Sequence, residues 1–84
     1  MKIAFTPTAW DQYSYWTQND KQMVKRIHAL IKDIQRSPFD GIGKPEPLKH
    51  QYTGLWSRRI DDEHRLVYRV LDDELVIVQC RFHY

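Results

Sequence analysis

Eighty-four residues suffice for one domain with a modest core and are too few for a multidomain enzyme. With 42% hydrophobic and 29% charged residues the chain is not a disordered one, and no run reaches the roughly 20 apolar residues of a membrane span. A single cysteine rules out an internal disulfide framework, and a net charge of +2 is too small to name a partner by itself. A cytoplasmic protein without membrane association is expected, since "MKIAFTPTAWDQ" is far too short in apolar residues for a signal h-region.

The first element is a strand over "KIAFT". Thr6 then offers an N-cap, with Pro7 just inside a helix. Ala9, Trp10, Tyr13 and Trp16 recur at helical spacing and predict an aromatic face turned to the core. Asn19 and Asp20 break this helix and cap a second one. There Val24, Ile27, Ile31 and Ile34 form one stripe, and Lys21, Lys25, Lys32 and Arg36 form the opposite face. Ser37-Pro38 ends it, because a residue before proline avoids the α region. "FDGIGKPEPLKH" is a loop, and its GxG lacks the strand and helix that a phosphate-cradling loop needs. Three strands follow, at about 52–60, 64–71 and 75–82, with the acidic triplets Asp61–Glu63 and Asp72–Glu74 as hairpin turns.

This order, βααβββ, predicts an α+β fold with two helices on one face of a mostly antiparallel four-stranded sheet. Alternation along the strands puts Val76, Val78, Cys80, Phe82 and Tyr84 on one face of the last strand, and Leu66, Tyr68 and Val70 on one face of the strand before it. If these apolar sets cover the helices, Arg65, Arg69, Arg81 and His83 share the free face. An arginine-rich face with a histidine suits phosphate.

Charge is distributed unevenly. From Lys44 to Ile60 the basic residues are Lys44, Lys49, Arg58 and Arg59, and the only acid is Glu46, stiffened between Pro45 and Pro47. A locally basic surface fits a polyanion. Cleaving RNA by its own 2′-OH needs a base, a cation for the phosphorane and an acid for the leaving oxygen. Glu, Arg and His can fill those roles without metal. The four histidines show no ligand spacing and no CxxC or HExxH occurs, so no metal or cofactor is expected. His28 reads as helix surface, His50 and His64 as strand-end residues, and Cys80 as an inert core thiol.

"GKPEPLKH", "GLWSRRI", "EHRLVY" and "CRFHY" together resemble the YoeB (Txe) family of RelE-like bacterial toxins, and the likeness covers essentially the whole chain. The resemblance implies one RelE-like toxin domain over residues 1–84. It implies the toxin half of a type II toxin–antitoxin pair, which enters the ribosomal A site and cuts mRNA. It further implies a YefM-like antitoxin, a homodimer, the 70S ribosome with A-site mRNA as target, and operator DNA reached only through the antitoxin complex. By this likeness Glu46 matches the general base, His83 the general acid and Arg65 the phosphate-stabilising cation. Lys49, Arg59 and Tyr84 match supporting roles. The basic helix face of Lys21, Lys25, Lys32 and Arg36 would then meet ribosomal RNA phosphates.

Two other classes share such a scaffold. One is a toxin that blocks a protein target, as ParE-like relatives do with gyrase, and the other is a non-catalytic RNA-binding domain. The trio Glu46, Arg65 and His83 discriminates, because a pure binder does not need all three chemical types.

Overall fold

The computed structural model describes all residues, 1–84. Strand β1 (Lys2–Phe5) leads into helix α1 (Pro7–Asn19) and helix α2 (Lys21–Arg36). Strands β2 (Glu46–Pro47), β3 (Trp56–Arg59), β4 (Arg65–Leu71) and β5 (Glu74–Gln79) follow. The Thr6 hydroxyl accepts from the Ala9 N–H at 3.1 Å and starts α1 with Pro7 in its first turn. Asp20 Oδ1 accepts from the Gln22 and Met23 N–H groups and starts α2. Ser37 closes α2, as the following proline requires.

The sheet has five strands in the order β1-β5-β4-β3-β2, one more than expected. The extra strand is β2, a two-residue pairing of Glu46 with Ser57 and of Pro47 with Trp56. Glu46 therefore sits on a sheet edge and not in a plain loop. The pair β1 and β5 is parallel, and the other three pairs are antiparallel. The strand expected over 52–60 is shorter. His50–Tyr52 is a 3-10 turn entered through a left-handed His50 (φ 58°), which no strand accommodates.

The helices cover one face of the sheet. Ile27, Leu30 and Ile34 of α2 and Ala9 and Trp16 of α1 pack on Leu66, Tyr68, Leu75 and Ile77, all buried. Truncating one of these large aliphatic residues to alanine costs about 2–5 kcal/mol. Two expectations fail here for identifiable reasons. Tyr68 pairs with Ile77 but Val67 pairs with Gln79, so Val78 is the extra residue of a bulge. The bulge swaps the alternation, so Leu75 and Ile77, and not Val76 and Val78, face the helices, and Cys80 rejoins the core beyond it. The aromatic stripe of α1 also splits. Trp16 is buried, but Trp10 is 53% exposed and rests on Phe5 and Tyr13.

Arg58 is fully buried, which removes it from the basic surface. Its Nε donates to the Tyr68 hydroxyl at 3.2 Å, and Nη1 to Asp33 Oδ2 at 2.6 Å and to the Ile42 C=O at 3.1 Å. Its Nη2 donates to the carbonyls of Ser37 at 2.7 Å and Asp40 at 3.0 Å. A buried charge survives only when paired and bonded in this way. The Tyr68 hydroxyl donates on to the Pro38 C=O at 2.7 Å, and burial pushes its pKa up. One guanidinium thus gathers the whole loop after α2. Gly43 completes the join. It has φ +79°, and its C=O accepts from the Arg59 N–H at 2.7 Å. A Cβ there would lie 2.8 Å from a Leu30 methyl, so only glycine lets the loop close on β3 and deliver Glu46.

Candidate active site

The face of the sheet away from the helices is set by register. Glu46 pairs with Ser57, Ser57 with Val67 and Val67 with Gln79, a row across four strands. Two residues along, Arg59 pairs with Arg65. Cα partners point the same way, so Glu46, Ser57, Arg59 and Arg65 share this face. The relation of Arg59 to Arg65 was hidden in the sequence, and register places them side by side.

The chain then folds back over this face. Strand β5 ends at Gln79, earlier than expected, because helix α1 takes over the next backbone groups. The Cys80 N–H donates to Gln12 Oε1 at 2.8 Å, and its C=O accepts from Trp16 Nε1 at 2.8 Å. Arg81 lays its guanidinium 3.5 Å from the centre of the Tyr15 ring. Phe82 turns the chain with φ 68°. Its N–H donates to His64 Nδ1 at 2.7 Å, and its C=O accepts from the Arg65 N–H at 3.0 Å. Beyond the turn the Tyr84 hydroxyl donates to Glu46 Oε1 at 3.0 Å and lies 3.4 Å from Ser57 Oγ. The exposed His83 ring packs at 4.6 Å on the Tyr84 ring. Its Nδ1 donates to the Tyr84 C=O at 3.0 Å, which leaves Nε2 as the open nitrogen.

Arg65 is nearly buried, and its orientation is fixed by one nitrogen. Nη1 donates to the carbonyls of Asp61 at 2.8 Å, Asp62 at 3.3 Å and His64 at 3.1 Å. Nε and Nη2 have no partner within the chain. This is a braced cation with donors to spare, the arrangement that suits a phosphate. Arg59 is exposed on the same face. Lys49 is exposed at the start of the 3-10 turn, and its side chain makes no hydrogen bond or ion pair with Glu46 or Tyr84.

Of the other expected members of the free face, Arg69 is on it but away from this group, and Arg81 is not on it. Arg69 keeps the alternation of Arg65, but four residues on it stands about 13 Å away along the strand. Arg81 sits on α1 through Tyr15, because the chain has left the sheet by then and strand alternation no longer applies. The exposed Lys21, Lys25 and Lys32 line the outer face of α2, across the helical layer from Glu46. Arg36, on the same face, is paired with Asp33 Oδ1 at 2.8 Å. His28 is at the helix surface, 2.7 Å from the Tyr13 hydroxyl. Cys80 is buried, and burial pushes its thiol up to about 12.

Three neighbours of the site are not placed beside it by the sequence, although His64 reads as a strand-end residue. Ser57 could have been found by alternation with Arg59. Tyr52 approaches Tyr84 edge-on at 6.3 Å, across a turn whose geometry no periodicity signals. His64 lies beneath the Phe82 bend, a contact between positions 18 apart.

Glu46 and a braced guanidinium at Arg65 thus share one face, and Tyr84 ties the His83–Tyr84 segment to Glu46. The sequence profile described as "YoeB-like toxin of bacterial type II toxin-antitoxin system" matches residues 5–84. Toxin YoeB of Synechocystis is 62% identical, over 100% of this chain and 98% of its own. The YoeB/ParE toxin of Agrobacterium tumefaciens superposes with a TM-score of 0.98 at 51% identity, covering 100% of both chains. YoeB of Staphylococcus aureus, solved as a dimer and in a heterotetrameric complex with YefM, superposes at 0.94 with 52% identity, over 100% of this chain and 98% of its own. The chain belongs to the family of YoeB-like toxins of bacterial type II toxin–antitoxin systems, and its fold is RelE-like.

Proposed function

We propose that this toxin is a ribosome-dependent endoribonuclease that cuts mRNA in the A site and so arrests translation. The observation that carries the reading is the 3.0 Å bond from Tyr84 to Glu46, which draws the His83–Tyr84 segment onto the face that holds Arg59 and Arg65. Acid, base and cation then flank one surface on which a phosphodiester can lie.

The chemistry follows from these groups. Glu46 takes the proton of the 2′-OH as that oxygen attacks phosphorus. The Nε2–H of a protonated His83 gives a proton to the 5′ oxygen as the P–O5′ bond breaks. A 2′,3′-cyclic phosphate and a 5′-OH result, and the protons balance. The Arg65 nitrogens without chain partners stabilise the charge on the phosphorane, where a fixed donor is worth most. Arg59 and Lys49 hold flanking phosphates. The Tyr84 hydroxyl fixes one oxygen of Glu46 and leaves the other for the 2′-OH. No step calls for a metal.

The remaining partners follow the same reading. Lys21, Lys25 and Lys32 sit across the helical layer, so ribosomal RNA would grip the toxin from the side opposite the mRNA. Arg36 contributes less, because Asp33 already holds it. The partner antitoxin is of the YefM kind, by analogy with the Staphylococcus aureus complex, and the toxin forms a homodimer, as that YoeB does. Such a protein acts in the cytoplasm.

The test is primer extension on mRNA bound to programmed ribosomes, comparing the wild type with Glu46→Ala and His83→Ala. Wild-type cuts at the A-site codon that fall about 10²-fold or more in both variants are expected. Growth arrest by a wild type that cuts nothing would replace the nuclease by a toxin that only binds.

A further inference from the structure

We infer that His64 is a positioning residue for the site, whose Nδ1 lone pair sets the bend at Phe82 and thereby the place of His83 and Tyr84. This inference rests on the nuclease reading above for its consequence in activity, and on geometry alone for its structural part.

His64 is 8% exposed, and the structure surrounds it on several sides. Its backbone N–H donates to Asp61 Oδ1 at 2.7 Å, which ties it to the β3–β4 turn. Its ring stands edge-on to buried Trp16, with centroids 4.9 Å apart. Its Nε2 is 3.6 Å from Glu63 Oε1. The remaining ring nitrogen, Nδ1, meets the Phe82 N–H at 2.7 Å. An amide N–H can only donate, so Nδ1 must carry the lone pair, and the ring proton lies on Nε2, toward Glu63.

The bend needs such a clamp. Phe82 has φ 68°, a left-handed conformation uncommon for a residue with a side chain. Both of its backbone polar groups are held from the start of β4, and its C=O also accepts from Gln79 Nε2 at 3.2 Å. His64 takes the N–H, and the Arg65 N–H binds the C=O. Beyond Phe82 the tail is held through Tyr84 alone, which reaches Glu46 and the nearby Ser57 and stands edge-on to Tyr52, while His83 is exposed. His83 therefore lies between two holds, the bend at Phe82 and the Tyr84–Glu46 bond, and the bend sets the direction in which it leaves the fold. The His64 ring bonds to Phe82 and Glu63 and packs on Trp16, and it makes no hydrogen bond to Glu46, Arg59 or His83, so it acts through the bend and not on the substrate. The adjacent residues His64 and Arg65 split the work: the first holds the acid's segment, and the second presents the cation.

The experiment uses the full chain with His64→Leu, His64→Asn and His64→Gln. Asparagine places an acceptor near the position of Nδ1, glutamine carries it one carbon further, and leucine has none. Two readouts are taken: hydrogen exchange of the Phe82 amide by NMR, and kcat and KM for cleavage on programmed ribosomes. His64→Leu should lose Phe82 protection and drop kcat by about 10²-fold with KM little changed, as expected of a misplaced group. His64→Asn should regain protection and at least about 10-fold of the rate, and His64→Gln should recover less. Should the leucine variant fail to fold, the asparagine and glutamine pair, alike in polarity, carries the test. Equal rates in the asparagine and glutamine variants, or a wild-type kcat in His64→Leu, would overturn the inference. A wild type that cuts nothing while its Phe82 amide stays protected would overturn the nuclease reading and leave the positioning of the tail standing.

Discussion

The Tyr84 hydroxyl and the Glu46 carboxylate meet at 3.0 Å across 38 residues of chain. This contact closes the site, because Glu46 comes from a two-residue edge strand and Tyr84 from a segment that has left the sheet. Tyr84→Phe keeps the ring packing on His83 and removes the donor. A hydrogen bond to a charged group is worth about 1.5–3 kcal/mol, so a loss of about 10-fold or more in kcat is expected, with little change in Tm. Single-turnover cleavage on programmed ribosomes measures it. A wild-type rate would mean that the hydroxyl does not orient Glu46 during the reaction.

Acid should act on stability through Asp33. The Arg36 guanidinium, the Ile42 N–H and the Arg58 guanidinium hold its carboxyl well below the usual carboxylate range. A folded pKa below the unfolded one gives stability that is complete above the unfolded value, about 3.9, and is lost as pH falls toward the folded one. The stability gap between wild type and Asp33→Asn should therefore be constant from pH 7 to about 5 and shrink below about 4. Urea midpoints across that range test this. A gap unchanged at pH 2 would show that Asp33 is not specially stabilised as an anion.

Cys80 offers a readout of unfolding. Its thiol is fully buried, 3.5 Å from the Ala9 C=O, and burial pushes its pKa up to about 12. At pH 8 the folded protein should resist alkylation, and labelling should follow the population of unfolded chain as urea is added. Rapid labelling of the native protein would place a local opening at the junction of β5 and α1.

Much of the fold was legible because local chemistry dictates it. Thr6-Pro7 and Asp20 start the helices, Ser37-Pro38 stops the second, and the acidic triplets turn the hairpins. What sequence could not give were events decided by distant partners. The bulge at Val78 reverses an alternation that looks continuous in "ELVIVQ". Arg58 and Arg59 are neighbours of the same type, yet one is wholly buried by Asp33 and four loop or ring acceptors while the other stands in solvent. The site showed a similar division. The proposed Glu46, Arg65 and His83 were picked out by type and by resemblance, whereas Arg81 was misplaced, and the role proposed for His64 depends on one nitrogen facing one amide.

The parallel pairing of β1 with β5 has a consequence in time. Thr6 bonds to Val78 across 72 positions, and Lys2 is in register with Glu74. At synthesis rates of about 5–20 residues per second, β1 waits roughly 4–15 s for the strand that completes it. The helices can form early, being local, but the sheet is late by topology. His83 and Tyr84 are later still. A protein whose proposed target is the translating ribosome thus brings Tyr84 to Glu46 only after the strands that carry Glu46 and Arg65 have been made.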